Sequence, residues 1–167
     1  IQRHRDSSGN VQAVTYGSHQ MHSRTLMPEF YRRVQADAGR GDEAASAVLE
    51  SLFDGRTGLS NSEVANMAKT DEFIYKYVEL AKSQSGYMNQ TYADTISQNF
   101  ADFRRSTRNS DVVQAMLGRG IMSDTLSVMV NHGGGAGAAR AVREYAEKQG
   151  WTAADIERLS DQEFYNR

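Results

Sequence analysis

Apolar residues recur at helical spacing along most of the chain, and the pattern predicts a succession of amphipathic helices. The clearest stripe is Phe73, Ile74, Tyr77, Val78, Leu80 and Ala81, with Thr70 in front of it as a cap. A second runs through Tyr92, Ile96, Phe100 and Phe103, between Gly86 and Arg105. Val48, Leu49, Leu52 and Phe53 share one face of a helix starting near Asp42 and ending at Gly55. Ser110 precedes a helix that turns Val112, Val113, Met116 and Leu117 inward. Ile121 to Val130 reads as an apolar helix, broken by Gly133-Gly134-Gly135 and resumed from Ala138 to Gln149 on Ala139, Val142 and Ala146.

Polar punctuation sharpens these boundaries. Pro28 suits the first turn of a helix reaching about Asp37, with Gly39 as its stop. Ser60-Asn61-Ser62-Glu63 fits a capping box, in which the serine side chain and a glutamate three residues on satisfy each other's backbone N–H groups. Thr152 to Asp155 and Ser160 to Glu163 repeat that pattern at two short helices. Residues 1–24 differ. They are polar, contain Ser7-Ser8-Gly9-Asn10, and alternate only at Val11, Ala13 and Thr15, which predicts a loop plus a short extended segment. The predicted fold is mainly α, a multi-helix globule with that extended or loop segment at its N-terminus, in one domain over 1–167.

Composition narrows the functional classes. The chain has 167 residues, 39% of them hydrophobic and 24% charged, enough for a core without disulfides or a structural metal. No cysteine is present, which removes thiol nucleophiles and cysteine zinc sites. No run of about 18 apolar residues predicts a membrane span, and no signal peptide is visible. The first residue is Ile1 rather than Met, which reads as a processed end or the edge of something larger. A net charge of −2 without a basic stripe argues against nucleic acid. Arg104, Arg105 and Arg108 read as solvated residues offsetting a helix dipole.

Two clusters can carry chemistry. Tyr16-Gly17-Ser18-His19-Gln20-Met21 sets a glycine among side chains that stack on and hydrogen-bond to a sugar; its plain structural reading is a turn before an edge strand. Asn131-His132-Gly133-Gly134-Gly135-Ala136-Gly137 joins two helices and exposes backbone N–H groups that can meet an anion. It lacks the Lys-Ser/Thr ending of a phosphate loop, and its plain reading is a helix–helix connection. His19 and His22 stand three apart in a segment that does not read as helix, so no metal site is expected. No cofactor is expected either. Among the acids, Asp6 alone precedes the Tyr-Gly cluster, and Glu29 lies in the first turn of its helix.

Taken in order, these stretches resemble lysozyme-like cell-wall hydrolases of phage tails and secretion systems. Asp6 to Met21 looks like the segment of those enzymes that ends in Tyr-Gly-x-x-Gln. Met129 to Val142 is similar to their late motif, in which a helix ends in Asn or His plus a glycine-rich turn. Leu159 to Arg167 looks like their closing helix. The resemblance implies a lysozyme-like globule that cleaves the β-1,4 bond between N-acetylmuramic acid and N-acetylglucosamine, as a muramidase or a lytic transglycosylase. It implies peptidoglycan strands as partner, and the periplasm, cell wall or virion as location. It also implies a general-acid glutamate with a raised pKa. Counting back from Gln20 puts that residue at or just before Ile1, and residues 1–5 contain no carboxylate. Asp6 and Glu29 are the nearest acids, and neither matches the motif. Tyr16, Ser18, His19 and Gln20 are expected on one cleft wall and Asn131 and His132 on the other. The missing glutamate keeps a second reading open: a non-catalytic structural or glycan-binding module of a phage tail or secretion apparatus, as part of a larger assembly.

Overall fold

The computed structural model describes residues 1–17, 21–119, 123–160 and 162–163; of helix residues 123–128 and 131 it describes the backbone alone. The described chain is mainly helical, with eight helices and one three-stranded sheet. It divides into two compact units, Ile1–Gln98 and Asn99–Arg167.

The first unit opens with the sheet: β1 (Gln2–Arg5), β2 (Val11–Tyr16) and β3 (Met21–His22), antiparallel in the order β1-β2-β3. The expected short extended segment is therefore the middle strand of a sheet. Asp6 builds the first turn. Its Oδ1 accepts from the backbone N–H of Ser8 and of Asn10, both at 2.9 Å, and its Oδ2 accepts from Gln12 Nε2 at 2.8 Å. A side-chain oxygen that takes the place of a backbone acceptor is what favours aspartate in such turns. Ser23 prolongs the pairing on the other side: its N–H donates to Val14 O at 2.8 Å, and its hydroxyl accepts from Val14 N at 3.1 Å.

Four helices and the start of a fifth complete this unit. They are α1 (Leu26–Gly39), α2 (Glu43–Phe53), α3 (Asn61–Met67), α4 (Asp71–Ser83) and α5 (Ser85–Thr107). Asp42, Ser60 and Thr70 cap α2, α3 and α4 through their side chains, and Ser60 with Glu63 closes the expected capping box. Pro28 stands third in α1, still within the turn whose N–H groups have no helical acceptor, so its missing N–H costs nothing. The core is a relay of rings. Tyr31 meets Phe53 (centroids 4.8 Å apart), Phe53 meets Phe73 (5.5 Å), Phe73 meets Tyr16 (5.9 Å), and Tyr16 meets Tyr77 (4.7 Å). The edge-on and tilted geometries suit aromatic quadrupoles and add to the burial itself.

Helix α5 departs from its expected stripe. Its buried positions are Met88, Thr91, Thr95, Ile96, Asn99, Phe103 and Thr107, so the inward face is centred one residue away from the line through Tyr92 and Phe100 and is largely polar. Gly86 lies inside the helix rather than at its border. The hydroxyls of Thr95 and Thr107 are satisfied by the carbonyls of Thr91 and Phe103 four residues back, which lets them be buried at little cost.

The second unit contains the end of α5, then α6 (Asp111–Gly118), α7 (Ser123–Gln149) and α8 (Ala153–Arg158). Ser110 caps α6, and Thr152 with Asp155 forms a capping box on α8. Phe103, Val113, Met116, Val130, Val142, Trp151 and Ile156 form the core, with Ala138, Ala139 and Ala146 between them. Arg119 seals the end of α8, its guanidinium donating to the carbonyls of Ile156 (2.6 Å) and Leu159. No helix among the described residues is long and apolar enough to cross a membrane.

Candidate functional site

The Tyr-Gly cluster falls at the tip of the β2–β3 hairpin. Tyr16 pairs with Met21, and Gly17 follows directly on the paired Tyr16. Gly17 has φ +73, a conformation that L side chains avoid. A Cβ there would lie 2.9 Å from the Cζ and hydroxyl oxygen of Tyr92, so the tip backbone rests directly on that ring. Ser18, His19 and Gln20, expected on a cleft wall, lie outside the described residues.

Tyr16 is placed differently from its expected position on that wall. It has no exposed surface, and its hydroxyl donates to the Ala68 carbonyl. Burial, with Tyr77 adding to it, pushes its hydroxyl pKa well above the ordinary tyrosine value. The ring packs between Phe73 and Tyr77 in the core of the first unit. The physical reason is the strand: β2 is the middle of three, and its last four residues are all buried.

Asn131 and His132 are consecutive residues of α7, just ahead of its break. His132 is half-buried, and the side chain of Asn131 is outside the described set. The expected glycine break is present and is centred on Gly134, at φ 69 and ψ 169, a region almost exclusive to glycine. The next residue explains the run. A Cβ on Gly135 would stand 2.2 Å from Asn99 O and 2.7 Å from Phe103 N, so α7 lies flush on the backbone of α5. The N–H of Gly135 donates to Asn99 Oδ1 at 3.0 Å. That donor, the first an anion could have met at this turn, is thus already taken.

The two fallback acids are committed elsewhere. Asp6 is half-buried and saturated with hydrogen bonds; Gln12, Asn10 and Ser8 hold its carboxyl below the ordinary carboxylate range. Glu29 is half-buried in the first turn of α1, with Arg32 3.8 Å away. Among the described residues, the other carboxylates displaced from their ordinary range also move down: Glu63 through the backbone N–H and hydroxyl of Ser60, Asp155 through the hydroxyl and N–H of Thr152. A general acid needs the opposite displacement. Among the described residues no three His, Asp or Glu side chains converge as a metal site would require.

No protein-family model, curated protein or solved structure matches the chain. The assignment of a site therefore rests on the residues themselves. Two contacts escaped the sequence pattern: Tyr92 beneath the hairpin tip and Asn99 at the α7 break. Tyr92 falls on an apparent core stripe, and Asn99 lies between two of its members, so neither carried a local signal of its own.

Proposed function

We propose that the chain is a lysozyme-like module acting on the glycan of bacterial peptidoglycan, as a muramidase or lytic transglycosylase of the β-1,4 N-acetylmuramic acid–N-acetylglucosamine bond. The observation that carries this reading is the setting of the Tyr16-Gly17 motif. It stands at the tip of a hairpin in a small antiparallel sheet, ahead of a helical body, on a glycine whose positive φ and ring contact leave no room for another residue. The glycine-broken helix after Asn131-His132 supports it as a second ordered feature of the same resemblance. The protein would then work in the periplasm, at the cell wall or on a virion. Release of soluble muropeptides from purified peptidoglycan tests the reading; anhydro ends on the products distinguish a transglycosylase from a hydrolase.

The commitment of Asp6 to its turn and the placing of Glu29 beside Arg32 favour a second reading, a glycan-binding or structural module of a phage tail or secretion apparatus that holds wall polymer without cutting it. Co-sedimentation with insoluble peptidoglycan and no product release would select it. Product release by the chain would exclude it.

A further inference from the structure

A cavity of about 170 Å³ opens on the first unit between the end of α2 and the start of α4. Its floor is apolar: Leu52 and Phe73 are buried, and Met67 is half-buried. Its rim is charged. Lys76 Nζ stands 3.1 Å from Asp54 Oδ1 and 2.8 Å from Glu72 Oε1, so one ammonium faces two carboxylates and the rim keeps one negative charge. The second oxygen of each carboxylate takes no hydrogen bond from any described residue, and both side chains are more than half exposed. The Thr70 hydroxyl is committed locally, donating to Met67 O at 2.8 Å and accepting from Phe73 N at 3.2 Å. The last turn of α2 also lines the cavity, and a helix C-terminus favours a cation. The first turn of α4, whose dipole opposes one, carries Asp71 and Glu72. Asp54 itself sits in the left-handed region, with φ 54, where helices commonly end in glycine. A glycine would suit that backbone better and would remove the carboxylate.

We infer that this cavity receives a lysine-type side chain, its methylenes over Leu52, Met67 and Phe73 and its ammonium at the open oxygens of Asp54 and Glu72. The chemistry of the walls matches that of an alkylammonium along its length, apolar below and negative at the mouth. Carboxylates that already share one ammonium are close enough to share a second, and the unbalanced charge of the rim is the one such a ligand neutralises. The volume fits as well. Five water-sized groups occupy on the order of 150 Å³, and a lysine side chain has four methylenes and an ammonium. On the proposed glycan reading, from which the inference takes only the source of the ligand, that side chain belongs to the diamino acid in the peptide branches of peptidoglycan.

The test is a heteronuclear NMR titration of the whole chain, read at the methyls of Leu52 and Met67 and the amides of Thr70 and Glu72. The probes are Nα-acetyl-lysine amide, its Nε-acetylated form and a lysine-containing muropeptide. The lysine probe should give saturable shifts at all four groups, weakening as salt is added. The Nε-acetylated form should bind about tenfold more weakly, and the muropeptide should move the same groups at least as readily as the lysine probe. Asp54→Asn, whose side chain suits the same backbone, and Glu72→Gln should each weaken the lysine probe about threefold. Lys76→Met removes the competing ammonium and should tighten it about threefold. An ion pair with a structural role alone would not give these opposite signs. No saturable shift with the lysine probe, or equal binding of its acetylated form, overturns the site. Binding of the lysine probe without binding of the muropeptide at those groups overturns the peptide-branch assignment. Either failure leaves the glycan reading standing, since product release from peptidoglycan and retention on it decide that reading separately.

Discussion

Replacing Gly135 by alanine probes the contact between α5 and α7 with one methyl group. The methyl carbon would stand 2.2 Å from Asn99 O, 2.7 Å from Phe103 N and 2.9 Å from Asp102 Cβ. The first of these is more than an ångström inside ordinary contact, and two of the three atoms are helix backbone, which cannot rotate aside. The helices must part. Overpacking of this kind costs about 1–3 kcal/mol, and parting lengthens the buried bond from Gly135 N to Asn99 Oδ1, whose loss costs a further 1–3 kcal/mol or so. Better helix propensity of alanine returns about 1 kcal/mol. The net loss is about 1–5 kcal/mol, which for a chain of this length lowers the melting temperature on the order of 10 °C. Gly137, two residues on, is the control: nothing lies within 4 Å of its would-be Cβ. Gly137→Ala should therefore gain up to about 1 kcal/mol and melt a few degrees higher. Far-UV circular dichroism melts of both variants decide the matter. Equal melting of the two variants would refute the close-approach account of the glycine run.

Other expectations follow from single contacts. Tyr16→Phe removes the hydroxyl that donates to the Ala68 carbonyl and should destabilise by about 1–3 kcal/mol in urea titration, with no change in m-value. Thr152→Ala opens the capping box on α8 and should cost about 1 kcal/mol, while Thr152→Ser restores most of it. Asp6 is held below its ordinary 3.8, so its support of the first turn is complete above that value and is lost as pH falls through the lower folded-state value. The amide resonances of Ser8 and Asn10 should titrate together with a midpoint below 3.8, and a midpoint at or above it would contradict the hydrogen-bond account.

The helices were legible where their signals are local. A cap is a side chain bonding to a backbone a few residues away, so Ser60, Thr70, Ser110 and Thr152 can be read in place, and so can the reciprocal bonds of Ser160 and Glu163. The stripe of α4 was legible because its inward residues are apolar, Phe73, Tyr77 and Leu80. That of α5 was misplaced because its inward residues include Thr91, Thr95 and Asn99, and periodicity counts only apolar side chains. The sheet was half-legible. Alternation marks Val11, Ala13 and Thr15, yet both faces of β2 are covered toward its end; His4 and His22, opposite Ala13 and Thr15, straddle it with rings 6.0 Å apart. Of the candidate site, the positive φ of Gly17 and the break at Gly134 follow from glycine itself. The burial of Tyr16 and the ring beneath Gly17 depend on residues 52 and 75 positions away in sequence, respectively Ala68 and Tyr92, and no local pattern encodes such distances.

The bond from Gly135 to Asn99 also fixes an alignment. Thr107, the other buried polar side chain of α5 in the second unit, closes its hydroxyl on its own helix and would be content at any sliding position of the neighbour. Asn99 would not. A slip of α7 by one turn, about 5.4 Å, would strand its amide oxygen away from the N–H freed by the Gly134 break and would bring an alanine methyl, from Ala138 or Ala139, against backbone that tolerates only a hydrogen. Two helices lined with small residues usually have several near-equivalent ways to lie together. Here a single amide and a single hydrogen atom act as key and ward, and leave the pair one setting.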